Sequence, residues 1–313
     1  MGGIGVITNP RSRANLRNPR IAQRLGYILG EKGTLEQPAD HGELADVALR
    51  FKERAIDVLC INGGDGTMHT ALSAMVRAYD GQRLPRIAIL RTGTMNTIAR
   101  GVGVWGTAAD ILAFVVQRYH AEEPLPTTRR WLMQVDGNQY GFLFGNGLIA
   151  RFLEVYYEGS EPTPAKAAWL LARACFSALV GGPLIRRLLA PYEGEVELDG
   201  AKWPAHRWMT VAAGTSHDIG IGFRPFWKCL THPEHMHAFG LATMNPVAAV
   251  RELPRIYMAR QVQGEDWYDG VARRLVLRSS QPIDYMIDGD FHKGGTEVVV
   301  QTGPAVDFVV PEY

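Results

Sequence analysis

Three short stretches of this sequence place phosphate-binding or proton-accepting residues where such chemistry works. The first is Gly63-Gly64-Asp65-Gly66-Thr67, which directly follows the apolar run 56–61. Glycines let a backbone approach a phosphate without a Cβ in the way, and successive N–H groups at a turn before a helix form an anion site. Asp65 suits the magnesium that accompanies ATP, or the orienting of phosphates. A tight turn whose aspartate caps the following helix is the other reading of the same residues. No Gly-Lys-Ser/Thr follows, so the stretch is not a Walker A loop. The second is Thr92-Gly93-Thr94-Met95-Asn96, again after an apolar run, 86–90. The third is Ile287-Asp288-Gly289-Asp290. Its carboxylates can accept the proton of an alcohol as phosphoryl transfer proceeds through a loose transition state. A hairpin turn with solvated aspartates is the alternative there.

Two lesser clusters stand beside these. His232, His235 and His237 lie close in sequence, and the last two would share a strand face at period two. A transition-metal site and a metal-free surface or core position are both open. Arg11, Arg13, Arg17, Arg20 and Arg24 crowd the opening of the chain, where they would attract a nucleotide or an anionic membrane, or simply form a solvated helix face.

The elements that must position these residues come in two styles. Up to about residue 120, apolar runs alternate with helical periodicity: strands at 4–8, 56–61 and 86–90, helices at 20–30, 43–54, 69–79 and 108–119. Repeated β-α units imply a parallel sheet with helices on both faces. The pattern changes at Glu122-Glu123-Pro124-Leu125-Pro126. Short strands then dominate, at 130–135, 139–144, 194–198, 206–212 and 274–278, with hairpin turns at Asp136-Gly137 and Asp199-Gly200. Two domains follow, 1–124 and an antiparallel β-rich 125–313, the latter carrying a helical insertion near 160–190. The unbroken helical part of that insertion would be roughly 24 Å long, short of the roughly 30 Å hydrocarbon core of a bilayer. It also carries Arg173. It reads as a membrane-surface helix, a wall of a lipid-entry cleft, or a buried helix pair.

Bulk properties set the frame. The chain has 313 residues, of which 46% are hydrophobic and 21% charged. That length and balance suit two soluble domains. A net charge of +1 gives no electrostatic case for nucleic acid. Cys60, Cys175 and Cys229 are odd in number and widely spaced, which fits a reducing compartment. No charged n-region precedes an apolar h-region, so a cytoplasmic location is expected.

Taken together, the motifs resemble the diacylglycerol kinase catalytic-domain family, which includes bacterial lipid kinases and the sphingosine and ceramide kinases. Asn9-Pro10-Arg11-Ser12 is similar to the family's first strand and turn, Gly63–Thr67 to its nucleotide loop, and Gly93-Thr94-Met95-Asn96 with Ala99-Arg100 to its second loop. Asp288-Gly289-Asp290 is similar to its late Asp-Gly-Glu element. The resemblance implies an α/β nucleotide domain followed by a β-sandwich, with the active site in the interdomain cleft. It implies nucleotide contacts from Asn9, Pro10, Arg11, Gly63, Gly64, Asp65, Gly66, Thr67, Gly93, Thr94 and Asn96, magnesium at Asp65, and a base at Asp290 with Asp288 as helper or the reverse. The implied reaction is transfer of the γ-phosphate of ATP to a primary hydroxyl of a neutral membrane lipid, diacylglycerol or a ceramide-like sphingolipid. The enzyme would be a cytoplasmic one that visits the membrane reversibly. Two other readings remain: a soluble kinase of NAD, which shares the Gly-Gly-Asp-Gly signature, and a non-catalytic lipid-binding protein with the same fold. The chain departs from the family pattern at four places. Arg91 stands where proline is usual, His69-Thr70 where Asn-Glu is usual, His235-Met236-His237 near a metal-holding Asp-Gly element, and Asp290 where glutamate is usual.

Overall fold

A computed structural model describes residues 2–31, 33–159, 163–219, 222–242 and 245–312. The chain forms two compact units, 1–132 with 304–313, and 133–303. The last ten residues therefore fold with the first unit, and the division falls eight residues beyond the composition change at 124.

The first unit opens with β1 (Ile4–Thr8), α1 (Arg13–Arg17), α2 (Arg20–Leu29), β2 (Gly33–Glu36), α3 (His41–Glu53) and β3 (Val58–Asn62). It continues with α4 (Asp65–Tyr79), β4 (Arg86–Ile89), α5 (Thr97–Gly101) and α6 (Ala108–His120). Its strands pair in parallel in the order β2-β1-β3-β4. All five residues of β3 are buried, as a central strand covered on both faces requires. The helices pack in two pairs, α3 with α4 and α2 with α6. Right-handed crossovers put strands connected in opposite directions under opposite faces, which sorts the helices into these pairs. The direction of connection reverses between β1 and β3, and ligands of such sheets bind beyond the carboxyl ends of the strands at that point. Those ends are Asn9 and Gly63 onward.

The chain passes into the second unit within β5 (Thr127–Val135), whose residues up to Leu132 belong to the first, and continues with β6 (Gln139–Gly141), β7 (Leu143–Asn146), α7 (Leu148–Tyr157), α8 (Pro164–Val180) and α9 (Pro183–Leu188). Then come β8 (Tyr192–Glu193), β9 (Glu195–Leu198), β10 (Ala201–Lys202), β11 (Arg207–Gly214), β12 (Met236–Ala242), α10 (Pro246–Tyr257) and β13 (Trp267–Ala272). The last strands are β14 (Arg274–Arg278), β15 (Tyr285–Ile287), β16 (Asp290–His292) and β17 (Glu297–Val309), whose final residues belong to the first unit. One antiparallel sheet runs β13-β12-β11-β7-β15-β16. A second joins β10, β9, β14 and β17. Both contribute to one apolar core, in which Phe144, Trp208 and Val211 meet Val196, Leu275 and Val298. This is the expected sandwich. Asp199 and Gly200 turn with φ 47° and 86° and join β9 to β10. A two-residue hairpin with both central φ positive demands such residues. The helical insertion is α7 to α9. Its stretch 160–162 lies outside the described residues.

Candidate active site

The phosphate-binding candidates converge at the carboxyl ends of β1, β3 and β4. Asn9 Nδ2 donates to Thr67 Oγ1 at 2.8 Å, tying the first turn to the glycine loop. Asn9 Oδ1 accepts from Arg11 N at 2.9 Å, which shapes the turn and leaves the Pro10 and Arg11 side chains exposed. Gly64 caps α4 in an extended conformation and offers no side chain to the helix's first N–H groups. Those N–H groups are the usual anion site of a helix of this length. A Cβ on Gly63 would collide with the Thr67 side chain, and a Cβ on Gly93 would collide with the Gly64 backbone. The two glycine loops thus touch backbone to backbone, an approach only glycine permits.

Asp65 holds the second loop. Its Oδ2 accepts from Thr97 N at 3.1 Å and its Oδ1 from Ile98 N at 3.2 Å. It therefore caps α5, a helix remote in sequence, in addition to opening its own. Burial pushes its carboxyl above the ordinary 3.8, against the pull of those N–H groups and Arg100. Asn96, with φ 49°, takes a left-handed conformation. Asparagine tolerates that region better than most residues. It closes the loop by accepting from Gly93 N at 3.1 Å and donating to Gly93 O at 3.0 Å. Thr94 is half-buried within that loop.

Beneath the loops lies a polar network that the motifs did not announce. Asn62, fully buried, accepts from Thr92 Oγ1 at 2.7 Å and reaches Asn15 at 3.4 Å and Thr8 at 3.5 Å. Asn15 in turn donates to Asn9 O at 2.6 Å. Buried amides bonded this way fix the three strand ends in one arrangement. The signal available in the sequence was a polar residue ending each apolar run. Arg91 explains one departure from the family pattern, because its φ is 38°. Proline is held near a φ of about −65° and cannot adopt that conformation. The Arg91 guanidinium lies 5.2 Å from the centre of the Trp105 ring.

The late acidic element lies in the second unit. Asp288 (φ 50°) and Gly289 (φ 98°) form a two-residue hairpin joining β15 to β16, with Ile287 opposite Asp290. Positive φ at both central residues is the mark of the turn that suits twisted strands. The hairpin reading of this stretch holds, but the aspartates are not both solvated. Asp288 is buried, and its carboxylate accepts Phe142 N at 3.0 Å and Leu143 N at 2.9 Å. Asp290 is half-buried, between the turn and the exposed Phe291.

The histidines separate. His235 precedes β12 and is half-buried, outside the strand, so it does not share a strand face with His237. His237 is buried, with Nε2 3.1 Å from Asp269 Oδ2, the oxygen that also pairs with Lys228 Nζ. A lysine thus sits beside this carboxylate. Among the described residues no group of three or more His, Cys, Asp or Glu side chains is placed to hold a metal.

An open α/β sheet that gathers glycine turns and a helix start at its switch point defines a nucleotide-binding class of domain. Residues 3–122, within the first unit, match the diacylglycerol kinase catalytic domain family. Its overall fold is similar to two solved structures from Bacillus anthracis str. Sterne, each 14% identical and covering 99% of this chain and 97% of the other. One is of a protein proposed to be a diacylglycerol kinase (TM-score 0.72), the other of a diacylglycerol kinase (TM-score 0.65). At that identity the likeness is one of fold. No curated protein matches the chain in sequence.

Proposed function

We propose that this protein is a lipid kinase that transfers the γ-phosphate of ATP to a primary hydroxyl of a neutral membrane lipid, diacylglycerol or a ceramide-like sphingolipid. The observation that carries the reading is the backbone contact between Gly64 and Gly93 at the switch point, beside the uncapped start of α4. Phosphates would take the N–H groups of α4's first turn and the second glycine loop, with Asn9 and Thr67 at the rim and Asn96 keeping that loop closed. Asp65 is the carboxylate available to magnesium. Its two N–H bonds leave lone pairs free, and a divalent cation would draw its raised pKa back down. Magnesium would neutralise phosphate charge there.

In the second unit the proposal gives the two aspartates different roles, supported by their different burial. Asp288 is held by backbone N–H groups and acts as the clamp that orients the turn. Asp290 is the base. The lipid oxygen forms its bond to the γ-phosphorus as the bond to the β-phosphate's bridging oxygen breaks, ADP leaves, and the hydroxyl proton passes to Asp290. Use of ATP suits a cytoplasmic enzyme, and a membrane lipid as substrate requires that it meet the membrane; the described residues contain no helix long and apolar enough to cross one.

The test is incubation with labelled ATP and magnesium in mixed micelles of diacylglycerol, ceramide, sphingosine or monoacylglycerol in turn, with Asp290→Asn in parallel. Label in one lipid, reduced about 10²- to 10⁴-fold in the variant, is expected. Phosphorylation of NAD instead, or no ATP use with any lipid, would overturn the proposal.

A further inference from the structure

The helix α8 is amphipathic the wrong way round for a core helix. Its buried face is small: Ala167, Leu170, Ala174, Ser177 and Ala178. Its bulk points outward, with Trp169 60%, Phe176 66%, Leu179 63% and Val180 63% exposed. Residues 169, 173, 176 and 180 recur at helical spacing, so Trp169, Arg173, Phe176 and Val180 form one stripe. Hiding the alanines and exposing the aromatic and aliphatic side chains is the reverse of what burial favours, and a contiguous exposed apolar patch marks an interaction surface.

The charges say which kind of partner fits. Residues 164–188 contain Lys166, Arg173, Arg186 and Arg187 and no acidic side chain, in a chain whose net charge is only +1. Arg187 pairs with Glu158 at 2.8 Å. Arg186 is exposed, and the Arg173 guanidinium lies 5.4 Å from the Trp169 ring centre, beside the apolar stripe. Aromatic and aliphatic bulk flanked by arginine is the chemistry of a helix lying in the interface of an anionic bilayer, apolar face down and guanidinium groups among the headgroups. At 17 residues the helix is too short to span. A firm frame supports it: Thr163 caps its start, Gly181 (φ 62°) ends it, and Ala167 and Leu170 pack on Tyr156.

We infer that the Trp169–Val180 stripe of α8, with Arg173 and Arg186, is the face by which this protein docks on anionic lipid bilayers. The inference rests on the lipid-kinase reading for its purpose, but its test does not need catalysis. The full-length protein is sedimented with phosphatidylcholine vesicles, with and without phosphatidylglycerol. The wild type is expected to bind the anionic vesicles. Trp169→Ser and Phe176→Ser should each weaken binding about tenfold, and Arg173→Gln and Arg186→Gln about fivefold each at low salt. Tyr27→Ser, at an exposed aromatic of the first unit, serves as control and should change nothing. Stripe variants that bind as the wild type does, a control that loses as much as they do, or stripe variants whose only effect is to dissociate a dimer would each overturn the inference. Phosphorylation of a water-soluble short-chain lipid separates the two readings. Vesicle binding without any lipid phosphorylation sinks the kinase reading and leaves the docking face, whereas phosphorylation without vesicle binding does the opposite.

Discussion

Asp65, Asp288 and Asp290 all sit beside a glycine, yet the fold gives each different surroundings. Asp65 joins two loops by accepting the N–H groups of Thr97 and Ile98. In Asp65→Asn one of those acceptors becomes an NH₂ group facing an N–H, so the second glycine loop loses its tether. The Km for ATP should rise at least about tenfold and the first unit should lose about 1–2 kcal/mol. Titrating magnesium at saturating ATP separates tethering from metal binding, because only a lost metal contact moves the magnesium midpoint. Asp288→Ala should act on stability, since it orphans the N–H groups of Phe142 and Leu143 at about 1–3 kcal/mol each. Asp290→Asn should leave the melting temperature in place while lowering turnover about 10²- to 10⁴-fold. Equal melting losses in both variants would refute this division. The glycine loops stood out in the sequence because each follows an apolar run. The partners did not: Asp65 bonds residues 97 and 98, and Asp288 bonds 142 and 143, pairings that only the strand order creates.

At the scale of elements, periodicity recovers most of the first unit and misses what periodicity cannot show. The strand at 4–8 stands where expected, but β2 (Gly33–Glu36) carries no strand signal because none of its four residues is fully buried at that edge. The helix after the glycine loop starts at Asp65 itself, four residues earlier than its apolar pattern suggests, since glycines and a polar first turn carry no period. In the second unit, β12 and β13 are joined across by His237 and Asp269, with Lys228 on the same carboxylate. Burial alone would raise Asp269, but bonds from His237, Lys228 and Gln261 outweigh it and hold the group well below the usual carboxylate range. Burial lowers His237 beneath 6.5 despite Asp269. Both shifts have the same sign for stability. The unfolded chain takes up the His237 proton first, so the second unit should weaken as pH falls below about 6.5. The Asp269 contribution, present above about pH 4, should be lost below it. Asp269→Asn should cost about 3 kcal/mol at pH 7 by stranding Lys228 and should flatten the loss below about pH 4. Urea unfolding at neutral, mildly acidic and strongly acidic pH measures both, and an unchanged acid limb in the variant would contradict the assignment.

At the scale of the whole molecule, the chain does not finish its first unit until its last residues. The two styles of sequence, alternating β-α and then β-rich, were legible from periodicity alone. The return of 304–313 was not, because Gln301-Thr302-Gly303-Pro304 interrupts the apolar residues of β17 and no local pattern tells which sheet each part joins. β17 is 13 residues long; it pairs with β14 in the second unit, and Phe308 lies beside Ile87 of β4 in the first. Val306, Phe308 and Val309 are buried there, Val310 N donates to Pro126 O at 2.9 Å, and Arg129 grips Asp307 at 2.7 Å. Removing this segment turns β4, an apolar strand, into the bare edge of the parallel sheet and leaves its outer backbone groups unpaired. Burial of three large apolar side chains is worth about 1.5–3 kcal/mol each, so the loss is of the size of a domain's whole stability. A chain ended at residue 303 should therefore lose the first unit's cooperative unfolding and aggregate through the bare β4 edge, while a chain ended at 310 should melt close to the full-length protein. Calorimetry and light scattering on the two chains decide it. A chain ended at 303 that binds ATP and melts as the full-length protein does would show that β4 needs no neighbour there.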